Sequence, residues 1–338
     1  MTTEKEARFF RSDAGRVFCT LCPRACRLAE GEKGFCRVRV ARDGRLYATG
    51  YGEVSALALD PVEKKPLYHF YPGSQILSVG TIGCNLACRF CQNWEIAHSK
   101  SPTKHLSPQD LVALAVQYRS RGNIGLAYTY SEPMVWYEYI YDTSRLAREQ
   151  GLKNVLVTNG YLNPEPLQEL IPLIDGVNLD LKGWTDDFYR EYCEGRAAPV
   201  KKTAELLAGR VPLEVTNLLI PGANDTEEEI REMVRFVAGL DRKIPFHFSR
   251  YFPHYRLETP PTPLKVLEKA YRMAKEELDY VYVGNTGAAG HNRTECPECG
   301  QILVERSGFS ARVTGVDRDR CKNCGRGVDL VLPPEEEK

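Results

Sequence analysis

Eleven of the twelve cysteines in this chain fall into three tight groups, and no other feature narrows its folding choices as much. The first group is Cys19, Cys22, Cys26 and Cys36, the second Cys84, Cys88 and Cys91, and the third Cys296, Cys299, Cys321 and Cys324. Only Cys193 stands apart. Clusters of this kind are either a disulfide framework in a small secreted domain or metal ligands in a reducing compartment. The opening residues, MTTEKEARFFRSDAGR, contain no apolar signal core. Between the clusters lies an ordinary globular composition, 43% apolar and 27% charged. Metal ligation is therefore the reading, with a cytoplasmic location as the expectation. Lys+Arg and Asp+Glu are 45 each, so no global field draws in nucleic acid or an acidic membrane. No stretch approaches the ~18 apolar residues of a spanning helix. Neither a nucleic-acid nor a membrane partner is expected.

A length of 338 residues suggests about two domains' worth of chain. Residues 1–75 read as a four-cysteine module followed by a hairpin, VRVARDGRLYATG, with Asp43-Gly44 at its turn. A proline-punctuated stretch, DPVEKKPLYHFYPGS, follows. Residues 76–290 alternate strand-like runs (76–82, 124–130, 154–158, 176–181, 213–219, 245–249, 279–283) with helix-like runs (108–121, 133–150, 164–172, 185–193, 200–209, 226–239, 263–277). Such alternation predicts an α/β fold with a parallel sheet, a full or partial (β/α) barrel. Residues 291–338 read as a second cysteine module with an acidic tail, PPEEEK.

The motif Cys84-x3-Cys88-x2-Cys91 directly follows the first strand, and the carboxyl ends of barrel strands carry the chemistry. Three thiolates are one short of closing a zinc site or capping every iron of a [4Fe–4S] cluster, which leaves a position for something else to bind. The third group is two CxxCG knuckles with 21 residues between Cys299 and Cys321, the pattern of a zinc ribbon. Its plain role is to stabilise a module too small for its own core; docking of nucleic acid or a protein is the alternative. The N-terminal four close a site, so their metal is not catalytic by ligand count, and zinc and an auxiliary iron–sulfur cluster for electron entry both remain open. Ser131 and Pro133 read as a helix cap and first turn, and Thr226 with Glu229 as a capping box. His247 and Arg250 are placed near the end of the sixth strand, where Arg250 holds a carboxylate or makes a salt bridge. Phe90 and Trp94 flank the cysteine motif, to pack on a bound ring or shield the metal from water. Tyr128, Tyr130, Tyr137, Tyr139 and Tyr141 read as core or pocket wall before radical relay. Cys193 reads as a hydrogen donor or a small buried hydrophobe.

The three-cysteine motif in this position resembles that of radical S-adenosylmethionine (radical SAM) enzymes. The resemblance covers about residues 60–285. It implies a [4Fe–4S] cluster on Cys84, Cys88 and Cys91 whose fourth iron takes SAM. It further implies reductive cleavage to a 5′-deoxyadenosyl radical that abstracts hydrogen from a substrate. Tyr130-Ser131-Glu132-Pro133 is similar to the family's glycine-rich segment but lacks its two glycines. Thr158-Asn159-Gly160 and Asp180-Leu181-Lys182 resemble segments of pyruvate formate-lyase (glycyl-radical enzyme) activating enzymes, although Val157 stands where those often carry an acid. The phrases SVGTIGCNLACRFCQNW, YTYSEP, VTNGYL, NLDLKG, LLIPGAND and HFSRYFPHY together resemble AmmeMemoRadiSam-type proteins. The implied cofactor contacts are Phe90, Ser131, Glu132, Asn159, Asp180, Lys182 and Arg250 beside the three cysteines. The implied partners are a small-molecule or peptide substrate and a low-potential electron donor such as flavodoxin or ferredoxin. Three functions follow: a radical SAM oxidoreductase, a glycyl-radical activase, or a zinc-ribbon nucleic-acid or scaffold protein.

Overall fold

The computed structural model describes residues 4–99, 101–287 and 291–333. The acidic tail at 334–338 and the residue just before the 290/291 domain boundary lie outside the described residues.

The core is one eight-stranded sheet. Its strands are β1 (Ala56–Pro61), β2 (Gln75–Gly80), β3 (Asn123–Tyr128), β4 (Lys153–Thr158), β5 (Gly176–Asp180), β6 (Leu213–Leu219), β7 (Phe246–Arg250) and β8 (Val281–Gly284). They lie in the order β8-β7-β6-β5-β4-β3-β2-β1, all parallel except β1, which pairs antiparallel with β2. Among the described residues β1 and β8 are not paired with each other, so the barrel is open, the partial form of the expected architecture. The central strands are apolar runs rather than alternating patterns, because helices cover the outer face and side chains fill the inner one. Crossing helices are α1 (Pro108–Gln117), α2 (Tyr137–Glu149), α3 (Pro164–Leu170), α4 (Ala197–Leu207), α5 (Glu227–Leu240) and α6 (Leu264–Lys275). Local signals set their starts. The Asp110 amide donates to Ser107 Oγ at 3.1 Å, and the Glu229 amide to Thr226 Oγ1 at 3.3 Å, the expected cap of α5.

Three elements depart from the sequence expectations. The edge strand β1 was not foreseen; its Asp60-Pro61 end overlaps the stretch taken as punctuation. The helix expected over 185–193 is a single turn, Asp186–Phe188, followed by a π-helical turn, Tyr189–Cys193. The carbonyls of Tyr192 and Cys193 accept instead from the Arg89 and Ala87 amides at 2.8 and 2.9 Å, which ties this turn to the cysteine loop. At 131–133 the cap belongs to Glu132, whose carboxylate accepts from the Met134 amide, while Ser131 Oγ donates to Thr81 O at 2.7 Å.

The N-terminal module packs on α2. Its hairpin, Arg39–Arg42 with Arg45–Ala48, turns at Asp43 (φ +48°) and Gly44 (φ +70°), both left-handed as a tight two-residue turn requires. Arg39 crosses to α2, where Nη2 donates to both Glu138 oxygens at 2.7 and 3.0 Å, with both side chains 1% exposed.

The C-terminal module sits at the amino ends of the strands, away from the cysteine loop. Val331 bridges Phe70, His69 Nδ1 meets Asp329 O at 2.7 Å, and Arg306 lies fully buried 3.7 Å from Glu63. His247 belongs to this end too, a correction to its placement at the chemical face. It is the second residue of β7, and its Nε2 lies 2.6 Å from Glu214 Oε2. Glu214 also accepts the Tyr68 and His69 amides. Tyr128, Tyr137 and Tyr139 are wholly buried in the core. Among the described residues no helix is long and apolar enough to cross a membrane.

Candidate active site

Five of the six strand ends from β2 to β7 bring chemistry to one side of the sheet. The loop after β2 carries Cys84, Cys88 and Cys91. It starts at Gly83, whose φ of +91° suits glycine; a Cβ there would come 2.5 Å from Cys36 O. Cys84 Sγ accepts from the Leu86 amide at 3.4 Å and the Asn159 side-chain amide at 3.7 Å. Asn159 Nδ2 also donates to Asn85 Oδ1 at 2.9 Å, and Asn85 Nδ2 to Tyr161 O at 2.6 Å, so the end of β4 grips the loop. Cys193 is completely buried and is the neighbour that most raises the Cys88 thiol. That neighbourhood, not a position facing the cavity, is the place of the lone cysteine. Phe90 is buried beside Phe188, ring centroids 6.2 Å apart, and Trp94 stacks on Tyr255 at 5.1 Å.

Glu132 follows β3 and is 3% exposed. It accepts from Thr158 Oγ1 at 2.7 Å, the Asn159 amide at 2.8 Å and the Met134 amide at 3.0 Å, so it joins the ends of β3 and β4. Burial pushes its carboxyl up to about 7, against these hydrogen bonds. Two residues before it, Tyr130 adopts a left-handed φ of +71°, where glycine would carry no strain. Its hydroxyl donates to Asp60 at 2.8 Å and its ring lies under Lys65, which hold it there.

At the end of β5, Lys182 Nζ donates to Asp180 Oδ2 at 2.7 Å. Burial works against the lysine charge, but Asp180 and the neighbouring Cys88 raise its pKa above the ordinary value. Burial pushes the Cys91 thiol up to about 11 and that of Cys84 well above its usual range; for Cys88 the largest cause is the Cys193 hydrogen bond. Lys182 lowers Cys88 and Cys91, so it is the positive charge that favours their thiolates. Arg250 ends β7; its Nε donates to Thr262 O at 2.8 Å and it makes no ion pair among the described residues. Of the two alternatives the salt bridge is thus absent there, and the terminal nitrogens make no ion pair with a carboxylate among the described residues.

The two flanking cysteine groups differ in geometry. In the C-terminal group the Cys296–Cys324 and Cys299–Cys321 sulfurs are 3.7 Å apart, and all four lie within 4.8 Å of one another. Sulfurs ~2.3 Å from one tetrahedral ion would be about 3.8 Å apart, so the group fits a single metal ion. The N-terminal four surround a cavity shared with Arg24, Arg39 and Asn85.

The sequence reading missed Cys193 beside Cys88 and the double role of Glu132; the contacts span 105 and 26 residues, and no local pattern encodes them. A family model for the radical SAM superfamily matches residues 78–237. The chain is 44% identical to the uncharacterized protein MJ0808 of Methanocaldococcus jannaschii, over 97% of this chain and 100% of that protein. It is 25% identical to the pyruvate formate-lyase-activating enzyme of Clostridium pasteurianum, over 47% of this chain and 67% of the relative. The solved structure of Streptococcus suis SuiB bound to S-adenosylmethionine shares the fold, with a TM-score of 0.51 at 16% identity over 67% of this chain and 54% of that one. The matched span runs from β2 into α5 and so contains the cysteine loop and the ends of β3, β4 and β5 that hold it: the chain belongs to the radical SAM superfamily.

Proposed function

We propose that the chain is a radical SAM oxidoreductase that cleaves S-adenosylmethionine reductively at a [4Fe–4S] cluster held by Cys84, Cys88 and Cys91. The observation that carries this reading is an open set of three thiols in the loop after β2, with the Asn159 side-chain amide donating to Cys84 Sγ and the Lys182–Asp180 pair at the neighbouring end of β5. The donor set fits: three soft sulfurs leave one iron unclaimed, and an amide and an ammonium steady the thiolate charge. When bound, the cluster supplies the electron that splits SAM into methionine and a 5′-deoxyadenosyl radical, which takes a hydrogen atom from the substrate. Phe90 and Ser131 would contact the bound cofactor, and Glu132 and Asn159, which join the ends of β3 and β4, would hold that edge for the amino group of SAM. The Asp180–Lys182 pair at the end of β5 would contact SAM or the substrate, and Arg250 would offer its terminal nitrogens to a carboxylate. The ribbon holds zinc in a structural role. The substrate is a small molecule or peptide, and the electron comes from a low-potential donor such as flavodoxin or ferredoxin.

Replacement of Cys84, Cys88 or Cys91 by Ala should abolish 5′-deoxyadenosine formation in the reconstituted enzyme under reducing, anaerobic conditions. Product at the parent rate from the triple variant would refute the reading. The likeness to pyruvate formate-lyase-activating enzymes favours a second reading, hydrogen abstraction from a backbone glycine of a partner enzyme. Electron paramagnetic resonance with candidate partners separates the two. A stable glycyl doublet supports the activase, and deoxyadenosine formation dependent on a small metabolite supports the first.

A further inference from the structure

We propose that Cys19, Cys22, Cys26 and Cys36 hold a second [4Fe–4S] cluster, which relays electrons to the one at Cys84, Cys88 and Cys91. The inference rests on the radical SAM reading of the central site.

Spacing is the first ground. Among the described residues, the C-terminal ribbon is the group in which three or more potential ligand atoms all lie within 4.8 Å of one another. The N-terminal sulfurs do not close to that degree, nor do those of the central loop. One ion draws four sulfurs together around itself, whereas a cubane puts a different iron behind each sulfur and holds them farther apart. The N-terminal four nevertheless face one space. They line one common concavity together with Leu21, Gly34 and Val135.

The polar lining is the second ground. The Phe35 amide donates to Cys26 Sγ at 3.4 Å. Amide bonds to sulfur are a lever by which proteins set cluster potentials. Arg39, 1% exposed, also lines the cavity. Only its Nη2 is engaged, by Glu138; Nε and Nη1 are buried without a partner, as is Nη2 of Arg24. Buried guanidinium hydrogens left unpaired are costly, and the inorganic sulfides of a cluster in this cavity are the acceptors they lack. Arg24 stacks on Phe35 at 3.6 Å, which places a partial roof over the site.

The third ground is position. The Cys36 carbonyl packs on Gly83, the residue before Cys84. Arg24 Nε donates to Asn85 O at 2.8 Å, and Asn85 also borders the cavity. The two sites therefore share a wall made by residues 83–85. Four thiolates leave no open iron, so this cluster does not bind SAM, and electron transfer is the chemistry left to it. The balance is simple. An external low-potential one-electron donor is oxidised, the N-terminal cluster is reduced by one electron and passes it to the central cluster, and no bond or proton changes at the relay.

The test is metal analysis of the full chain after anaerobic iron–sulfur reconstitution. The expected content is about eight irons, about eight sulfides and about one zinc per chain. The Cys84→Ala/Cys88→Ala/Cys91→Ala variant should keep about half the iron and give a reduced-cluster resonance. The Cys22→Ser/Cys36→Ser variant should lose the other half. Wild-type protein should show spin–spin broadening that both variants lack. About four irons and two zincs in the wild type would overturn the proposal even if a variant fails to fold. Eight irons without broadening would overturn the relay. Full iron content without deoxyadenosine would instead refute the radical SAM reading of the central site and leave the second cluster standing.

Discussion

Two buried residues show how narrowly the packing is drawn at the two ends of the sheet. Gly83 is held between a left-handed backbone and the Cys36 carbonyl, so Gly83→Ala meets both backbone strain and a 2.5 Å contact. A loss of about 1–3 kcal/mol is expected, with a several-fold fall in iron at the central loop and unchanged metal in the ribbon. Calorimetry with iron analysis checks it; normal iron loading would refute the packing argument. His69 lies at the other end of the sheet, bonded to Asp329 O and Tyr282 Oη. Burial lowers its pKa from 6.5 to about 4, against the attraction of Glu214. The unfolded chain therefore takes up the proton first as pH falls. The stability of the neutral ring is whole above pH ~6.5 and is lost toward pH 4, on the order of 3 kcal/mol in all. Urea unfolding across that window should show a shallower decline for His69→Gln than for the parent; parallel declines would exclude His69 as the titrating group.

Among the elements, the join between the N-terminal hairpin and α2 depends on one buried pair. Arg39 and Glu138 are each 1% exposed, so removing one leaves the other charged and unpaired. Arg39→Met or Glu138→Leu alone should cost about 3–5 kcal/mol, and the double variant should cost less than the sum. A double-mutant cycle by chemical denaturation measures the coupling, and strict additivity would refute it. The π-helical turn at Tyr189–Cys193 is the other decisive element. It exists because its last carbonyls serve the Ala87 and Arg89 amides of the cysteine loop, and it sets Cys193 beside Cys88.

For the molecule as a whole, the two flanking cysteine modules lie at different ends of the sheet. The N-terminal module borders the cysteine loop, and the ribbon packs at the amino ends of the strands. Removal of residues 291–338 would take away Arg306 and leave Glu63 unpaired at 2% exposure. The truncated chain should melt at lower temperature and aggregate more, yet still form 5′-deoxyadenosine, because among the described residues the ribbon's contacts lie at the amino ends of the strands. Calorimetry and product assay on the same sample check this. Loss of cleavage in a folded truncation would give the ribbon a share in the site.

The parallel strands, most crossing helices, the Asp43-Gly44 turn, the α5 cap and the convergence of the C-terminal CxxC pairs were legible in the residues themselves. Each depends on contacts within a few positions: apolar periodicity, a cap hydroxyl, a left-handed turn residue, thiols two or three residues apart. Less was legible at the site. The motif loop was evident, but its supports were not: Glu132 between β3 and β4, Cys193 beside Cys88, and Asn159 on Cys84. The edge strand β1 was hidden by its proline and its lack of alternation, and His247 was placed at the wrong end because a strand's first and last residues look alike in composition. The amino-acid sequence alone determined which segments pair locally and which side chains can take metal. Tertiary packing alone decided which cysteine module meets the central loop and which buried charges face each other, because those contacts join residues tens to hundreds of positions apart.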